Sequence, residues 1–314
     1  PRQFKPPKFR ARLDDLFHLR FDRVEIFTRK GRRLKVIVEA LVNGRADRKA
    51  CFGIKIFHRA AKGMFLTADG EEFLTSAKVL FMNYENLMAK YTSEGAVKKK
   101  FAVSTQHYSF AVKSFVEMVK RFDTDEYEFA IRETKTREVI DDVATLRSEI
   151  GILYFSDFNR KPLENILSGK DIDFHHLIDC KAFVYIWRGH PLAHQSEITL
   201  EELESYPCLS FEQGADNLFY FAEEILSTKE YNRTIKANDR ATMLNLMRGL
   251  NGYTLCSGII SEELNGEDYV AIPLAETTSE INRVMEIGYI TKKNFSLTAL
   301  GQSYISALKA TLGI

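Results

Sequence analysis

Two cations at the tip of a short hairpin are the first chemistry legible in this 314-residue chain. In the stretch 52–74, Phe52, Ile54, Ile56 and Phe57 are apolar and β-prone, and Met64-Phe65-Leu66 returns as a second strand. The turn between them, Arg59-Ala60-Ala61-Lys62-Gly63, presents Arg59 and Lys62 on long side chains. A cationic tip of that reach suits a groove lined by phosphates. The plain alternative is an ordinary β-hairpin ahead of a helix. Other chemistry is set aside. His190 and His194 are four apart, but Pro191 denies them one helix face and no Cys or carboxylate completes a metal site. His175 and His176 point apart in a strand. Glu133, Asp141 and Asp142 belong to helix surfaces. There is no Gly-rich phosphate loop, no Gly-x-Ser-x-Gly and no Cys/His nucleophile pattern, so no catalytic residue, metal or cofactor is expected, and no enzyme. The basic runs Arg29-Lys30-Gly31-Arg32-Arg33 and Arg45-Ala46-Asp47-Arg48-Lys49 read either as phosphate grips or as solvated tails.

The hairpin leads into a long helix. Thr67 is a hydroxyl N-cap, and Asp69 and Glu71 place acids in the first turn. Over residues 70–95, Phe73, Ala77, Leu80, Tyr84, Leu87 and Tyr91 recur in steps of 4, 3, 4, 3 and 4, the spacing of a coiled-coil seam. Leu74, Phe81 and Met88 widen the stripe. The adjoining sequence offers no apolar mate for it, so a second copy of the chain is the expected partner, with Leu80, Tyr84 and Leu87 at the centre of the dimer contact. The alternative is a helix packed on its own domain.

Composition bounds the class. The chain is 45% hydrophobic and 28% charged, as in a globular protein of two or three domains. No run approaches the length needed to span a membrane, and the first residues have no apolar core of a secretory signal. Cys51, Cys180, Cys208 and Cys256 lie far apart, as expected in a reducing compartment, so a cytoplasmic location is expected. The net charge of +1 hides an asymmetry. Residues 1–63 hold 18 Lys/Arg and 6 Asp/Glu, and residues 64–314 hold 26 and 37, so the head carries +12 and the body −11. Such a head suits a polyanion, or serves as a solubilising tail.

After the turn-rich 92–96 the period changes. Residues 100–104, 128–132 and 150–155 read as strands, with helices over 108–121 and 136–147. This β-α-β-α-β order implies a parallel sheet covered by helices on both faces. A second unit begins near Ala182. It has strands over 183–188, 208–212, 234–237 and 253–256, a short capped helix over 198–206, and helices over 218–226 and 240–250, the last stopped by Asn251-Gly252. Strands over 270–274 and 286–293 follow, and a last strand and helix, the helix over 296–312, are expected to pack back on the first unit.

These residues resemble LysR-type transcriptional regulators. Gly53-Ile54-Lys55-Ile56-Phe57-His58-Arg59 and Leu66-Thr67-Ala68-Asp69-Gly70 are similar to the wing and linker-helix start of that family. Phe101-Ala102-Val103-Ser104, Glu149-Ile150-Gly151-Ile152, Gly189-His190-Pro191-Leu192-Ala193 and Asn251-Gly252-Tyr253-Thr254 follow in the family's order. The resemblance covers residues 52–312. It implies a winged head (1–68), a linker and dimerisation helix (69–95) and a two-lobed, periplasmic-binding-protein-like α/β effector domain (97–312). Lobe I is placed at 97–179 and 275–312, and lobe II at 182–270. Residues 1–51 do not match the family's helix-turn-helix. A divergent basic arm and a reading-frame error are the two accounts of that, and sequencing the coding DNA separates them.

The resemblance further implies DNA at a promoter or operator as one partner and a small-molecule effector as another, in a homodimer or homotetramer with no membrane. The effector belongs between the lobes. Ser104, Thr105 and Gln106 follow the first strand and open a helix, an arrangement of hydroxyls and free N–H groups that suits a carboxylate or other anion. Thr134 and Thr136 follow the second strand, and Ser210, Phe211 and Glu212 end a strand of the other lobe. The rival is a solute-binding protein or sensor of the same class without working DNA binding. The absence of a signal peptide and the long seam helix stand against it.

Overall fold

A computed structural model describes residues 26–27, 33–34, 54–60, 63–91, 99–122, 126–214, 218–275 and 284–314. Residues 1–76 and 77–314 form two compact units. In the first, β1 (Ile26–Phe27) pairs antiparallel with β2 (Arg33–Leu34), and β3 (Phe57–Ala60) with β4 (Gly63–Leu66). The first hairpin strand is thus 57–60, with Phe57 in it and Ile54 and Ile56 ahead of it, while Phe52 lies outside the described residues. The strand's predecessors are drawn to the helix start instead: the N–H of Thr67 donates to the carbonyl of Ile56 (3.0 Å) and its hydroxyl to the carbonyl of Lys55. Helix α1 (Ala68–Tyr91) begins there, capped as expected, with the N–H of Gly70 donating to Thr67 Oγ1 at 3.0 Å. A side chain at Gly70 would place its Cβ 2.0 Å from the carbonyl oxygen of Ile56, so only glycine lets the helix start close on that segment. Arg59 falls in β3 with its side chain outside the described part, and Lys62 lies outside the described residues. Leu80, Tyr84 and Leu87 fall in α1, and their side chains also lie outside the described part.

Among its described residues the second unit contains three sheets. The first has five strands in the order β6 (Tyr127–Glu133), β5 (Lys99–Thr105), β7 (Ile150–Phe155), β14 (Val284–Lys292), β8 (Ile172–Lys181). The first three are parallel, as the β-α-β-α-β order requires, while β14 runs antiparallel between β7 and β8. Every residue of β7 is buried, which its unbroken apolar run Ile-Gly-Ile-Leu-Tyr-Phe dictates for a strand covered on both faces. Helices α2 (Ser109–Lys120), α3 (Thr136–Ala144), α4 (Arg160–Gly169) and α8 (Ala299–Leu312) surround this sheet. The last strand and helix do pack back on it: Tyr304 of α8 donates to the carbonyl of Ala111 at 3.1 Å and lies against Phe101 and Phe115.

In the second sheet β9 (Phe183–Trp187) is flanked by β12 (Thr254–Cys256) and β13 (Tyr269–Pro273), and the third is the parallel pair β10 (Cys208–Phe211) and β11 (Thr234–Ala237), which meets it at the isolated bridge of Cys208 with Tyr253. A capping box at Thr199 starts α5 (Leu200–Leu203). Asp239 caps α6 (Arg240–Leu250), and Asn251 ends it in the left-handed conformation, φ 50°. A last short turn of helix, α7, spans Glu262–Asn265. Both nitrogens of His190 are used locally, Nδ1 accepting from the N–H of Leu192 and Nε2 donating to the carbonyl of Asn251. The expected helix over 218–226 is absent. Only a 3-10 turn, Phe219–Phe221, forms, because neighbouring aromatics go to different places: Phe219 is exposed while Phe221 is buried among Val139, Ile140, Leu163 and Phe155 of the first lobe.

Candidate functional site

The C-terminal end of β5 faces the second lobe, and strand alternation decides what each residue there does. Ser104 is fully buried, its hydroxyl donating to Asp142 Oδ2 at 2.5 Å and lying 2.8 Å from Ser148 Oγ. Thr105 is fully buried too, and its hydroxyl has no partner among the described residues. Gln106 donates from Nε2 to Thr136 Oγ1 (2.5 Å), and its Oε1 accepts from the N–H of Tyr154 (3.2 Å) and the hydroxyl of Tyr108 (3.0 Å). Thr134 donates its N–H to the carbonyl of Thr105 (2.9 Å) and its hydroxyl to Glu138.

From the second lobe residues 211–214 and 218–226 reach across. The N–H of Thr136 donates to Gln213 Oε1 (3.1 Å), and the hydroxyl of Thr136 donates to the carbonyl of Phe221 (2.7 Å). The ring of Phe211 stacks on that of His107 with centroids 3.7 Å apart. Glu223 closes the arrangement. Its Oε2 accepts from the N–H of His107 at 2.8 Å and lies 2.8 Å from His107 Nδ1, and its Oε1 accepts from Gln213 Nε2 at 2.9 Å. The spot where strand end and helix start were expected to receive an anion is therefore met by a carboxyl group of the chain itself. The N–H of Gln106 donates to the carbonyl of Ile152 and that of Tyr108 to the carbonyl of Gln106. At the rim Arg240 is ion-paired with Glu133 and donates to Asn265 Oδ1 at 3.0 Å.

Beside Glu223 lies Glu224, buried, its Oε1 accepting from the N–H of Phe211 at 2.7 Å. Burial and then the neighbouring Glu223 push its carboxyl up to about 8. Behind these groups is a cavity of about 70 Å³, whose walls are mainly apolar. Thiolate chemistry is disfavoured nearby: burial raises the thiols of Cys180 to about 11 and of Cys208 and Cys256 to about 12.

Residues 107–313 match the LysR substrate binding domain family. The chain belongs to that family. The match spans the α/β unit in which the sequence resemblance lay, and it begins at His107. No curated protein sequence matches the chain. Among solved structures it is similar to a full-length OxyR variant from Pseudomonas aeruginosa, at 15% identity and a TM-score of 0.55, covering 84% of this chain and 81% of that one. It is similar as well to a mutant OxyR from Corynebacterium glutamicum, at 16% identity and a TM-score of 0.50, covering 83% and 78%. These likenesses fix the two-lobed, periplasmic-binding-protein-like fold.

Of the residues singled out from the sequence, hydrogen bonds link Thr134 to Thr105 and Thr136 to Gln106 at the end of β5, and Phe211 stacks on His107. Ser104 is engaged behind them with Asp142. Ser210 is half-buried in β10, where it pairs with Lys236, and Glu212 is exposed, its N–H donating to the carbonyl of Ala237. Sequence reading missed His107, Gln213, Phe221, Glu223 and Glu224. The one available signal was the segment Phe219-Tyr220-Phe221-Ala222-Glu223-Glu224-Ile225-Leu226, whose aromatics and acids do not sort onto two faces of a helix.

Proposed function

We propose that this chain is a DNA-binding transcriptional regulator of LysR type whose two-lobed domain binds a small-molecule effector between its lobes. Membership of the family supports the regulator reading. The observation that carries the effector site is the buried, unpartnered hydroxyl of Thr105 at the end of the central strand, since a hydroxyl stranded without a partner costs free energy that a ligand recovers. Thr105, Gln106, Thr136 and Phe211 form the floor, Thr134, Ser210 and Glu212 the approaches, and Ser104 supports the strand from behind. A ligand that favours one lobe arrangement shifts the population toward it. The paired linker helices, joined at Leu80, Tyr84 and Leu87, pass the change to a head that grips phosphates through Arg59 and Lys62. The working unit is a homodimer or homotetramer in the cytoplasm.

Two measurements test this. Gel shift with upstream DNA shows a retarded complex whose affinity changes with effector. Calorimetry against organic acids, amino acids and amines finds a ligand that Thr105→Val weakens about tenfold, the value of one buried polar contact. Effector binding without any DNA complex leaves a sensor of the same fold and overturns the regulator reading.

A further inference from the structure

The cavity behind Glu223 and Glu224 has a composition of its own. Met243, Leu244 and Met247 of α6 form one wall and Ile259 and Ile260 another, so most of its surface is apolar. Thioethers pack adaptably on varied apolar shapes. At ~70 Å³ it has room for about five water-sized volumes, which is the scale of a compact organic molecule. Two features break the apolar lining. One is the hydroxyl of Thr254, a residue 7% exposed whose Oγ1 has no hydrogen-bond partner among the described residues. The other is the pair of buried carboxylates, Glu223 and Glu224, which also face this space.

Charge bears on what enters. An anion meets the carboxyl groups of Glu223 and Glu224 here, and the N–H of His107, just ahead of the helix, already serves Glu223. The arginine of the lining, Arg240, is held by Glu133 and Asn265. Glu223 is engaged by His107 and Gln213, and Glu224 by the backbone N–H groups of Phe211, Glu223 and Glu224, with no salt-bridge partner for Glu224 among the described residues. A buried carboxylate of this kind is stabilised by a cation brought to it.

We propose that this cavity continues the effector site past Phe211 and that it takes a small primary amine with an apolar body, the ammonium directed to Glu224 and Thr254 and the body packed on Met243, Leu244 and Met247. This rests on the effector reading above and names the ligand class for it. The carboxyl of Glu224, raised to about 8 by burial and then by Glu223, ionises as the ammonium arrives, so binding at pH 7 releases about one proton.

The experiment is titration calorimetry of the full chain with n-butylamine and benzylamine against butyrate and benzoate, in two buffers of different ionisation enthalpy. The amines bind and the acids do not, and the heats differ between buffers by the released proton. Glu224→Gln abolishes the proton release and weakens the amines about tenfold or more, and Thr254→Val weakens them about three- to tenfold. If Glu224→Gln does not fold, Thr254→Val decides alone. Binding of the acids in place of the amines overturns the amine pocket and leaves the effector reading standing. Amine binding that ignores Glu224→Gln and Thr254→Val but is lost in Thr105→Val does the same. No binding of any of the four overturns the amine pocket, and a broad panel without a Thr105-sensitive ligand overturns the effector reading separately.

Discussion

The hydroxyl of Thr136, at the first turn of a helix in the first lobe, donates to the carbonyl of Phe221, 2.7 Å away on a turn from the second lobe. The Phe221 ring, 2% exposed, is buried in the first lobe's apolar cluster, with the guanidinium of Arg137 5.9 Å from its centroid. One short segment of one lobe thus completes the core of the other and ties the two together.

Phe221→Ala should therefore cost stability as a core truncation does, about 3–5 kcal/mol, while Thr136→Val, which removes the hydrogen bond to that carbonyl and the one from Gln106 Nε2, costs about 2 kcal/mol. Urea unfolding followed by circular dichroism reads both. A loss under about 1 kcal/mol for Phe221→Ala would show that the segment is not part of the core.

Glu223 supplies the anion at the helix start, so Glu223→Ala leaves the His107 N–H and Gln213 Nε2 without their acceptor. The variant should melt lower than the parent, and acetate at about 100 mM should raise its melting temperature while leaving the parent unmoved, because only the variant has a vacated seat to be filled. Equal responses of the two proteins would exclude the internal-anion role.

The carboxyl of Glu149 is raised to about 7 by burial, against hydrogen bonds from the N–H and hydroxyl of Thr298 that lower it. Its folded pKa exceeds its ordinary value of 4.5, so between pH 4.5 and 7 the folded chain binds the extra proton. This group's contribution is therefore fully present below the unfolded value and is lost as pH rises through the folded one, a loss on the order of 3 kcal/mol at most. Glu149→Gln should flatten that decline and be at least as stable as the parent at alkaline pH. A denaturant midpoint whose pH dependence is the same in variant and parent would exclude Glu149 as the titrating group.

For the wing, Arg59→Ala combined with Lys62→Ala should weaken DNA binding at every sequence and reduce the salt dependence by roughly one to two units of slope. Fluorescence anisotropy across a salt series measures it, and an unaltered slope would rule out phosphate contacts by this pair.

For the linker helix, Leu80→Asp with Leu87→Asp should bury unpaired charge at the seam and shift the chain toward monomer, at a cost on the order of several kcal/mol of association. Light scattering that still reports the parent mass would exclude this seam.

By itself the sequence determined most of the elements and their class, because each rests on neighbours in the chain. The buried run of β7, the caps at Thr67, Thr199 and Asp239, and the stop at Asn251 are local interactions written in residue order. The order of the motifs was enough to indicate the family over the α/β unit. The tertiary structure alone decided the antiparallel place of β14 between β7 and β8, since strand neighbours follow from how layers pack and not from the strand's own pattern. It alone decided the content of the site. Thr105, Gln106 and Thr136 were legible as strand-end polar residues, but Glu223 comes from 116 residues beyond His107, and no local rule brings a carboxylate from that distance into a helix start. Residues 218–226 read as a helix because helix propensity is local. They form a strap because burying Phe221 in the opposite lobe and satisfying Glu223 there outweighs the few tenths of a kcal/mol per residue by which propensity differs.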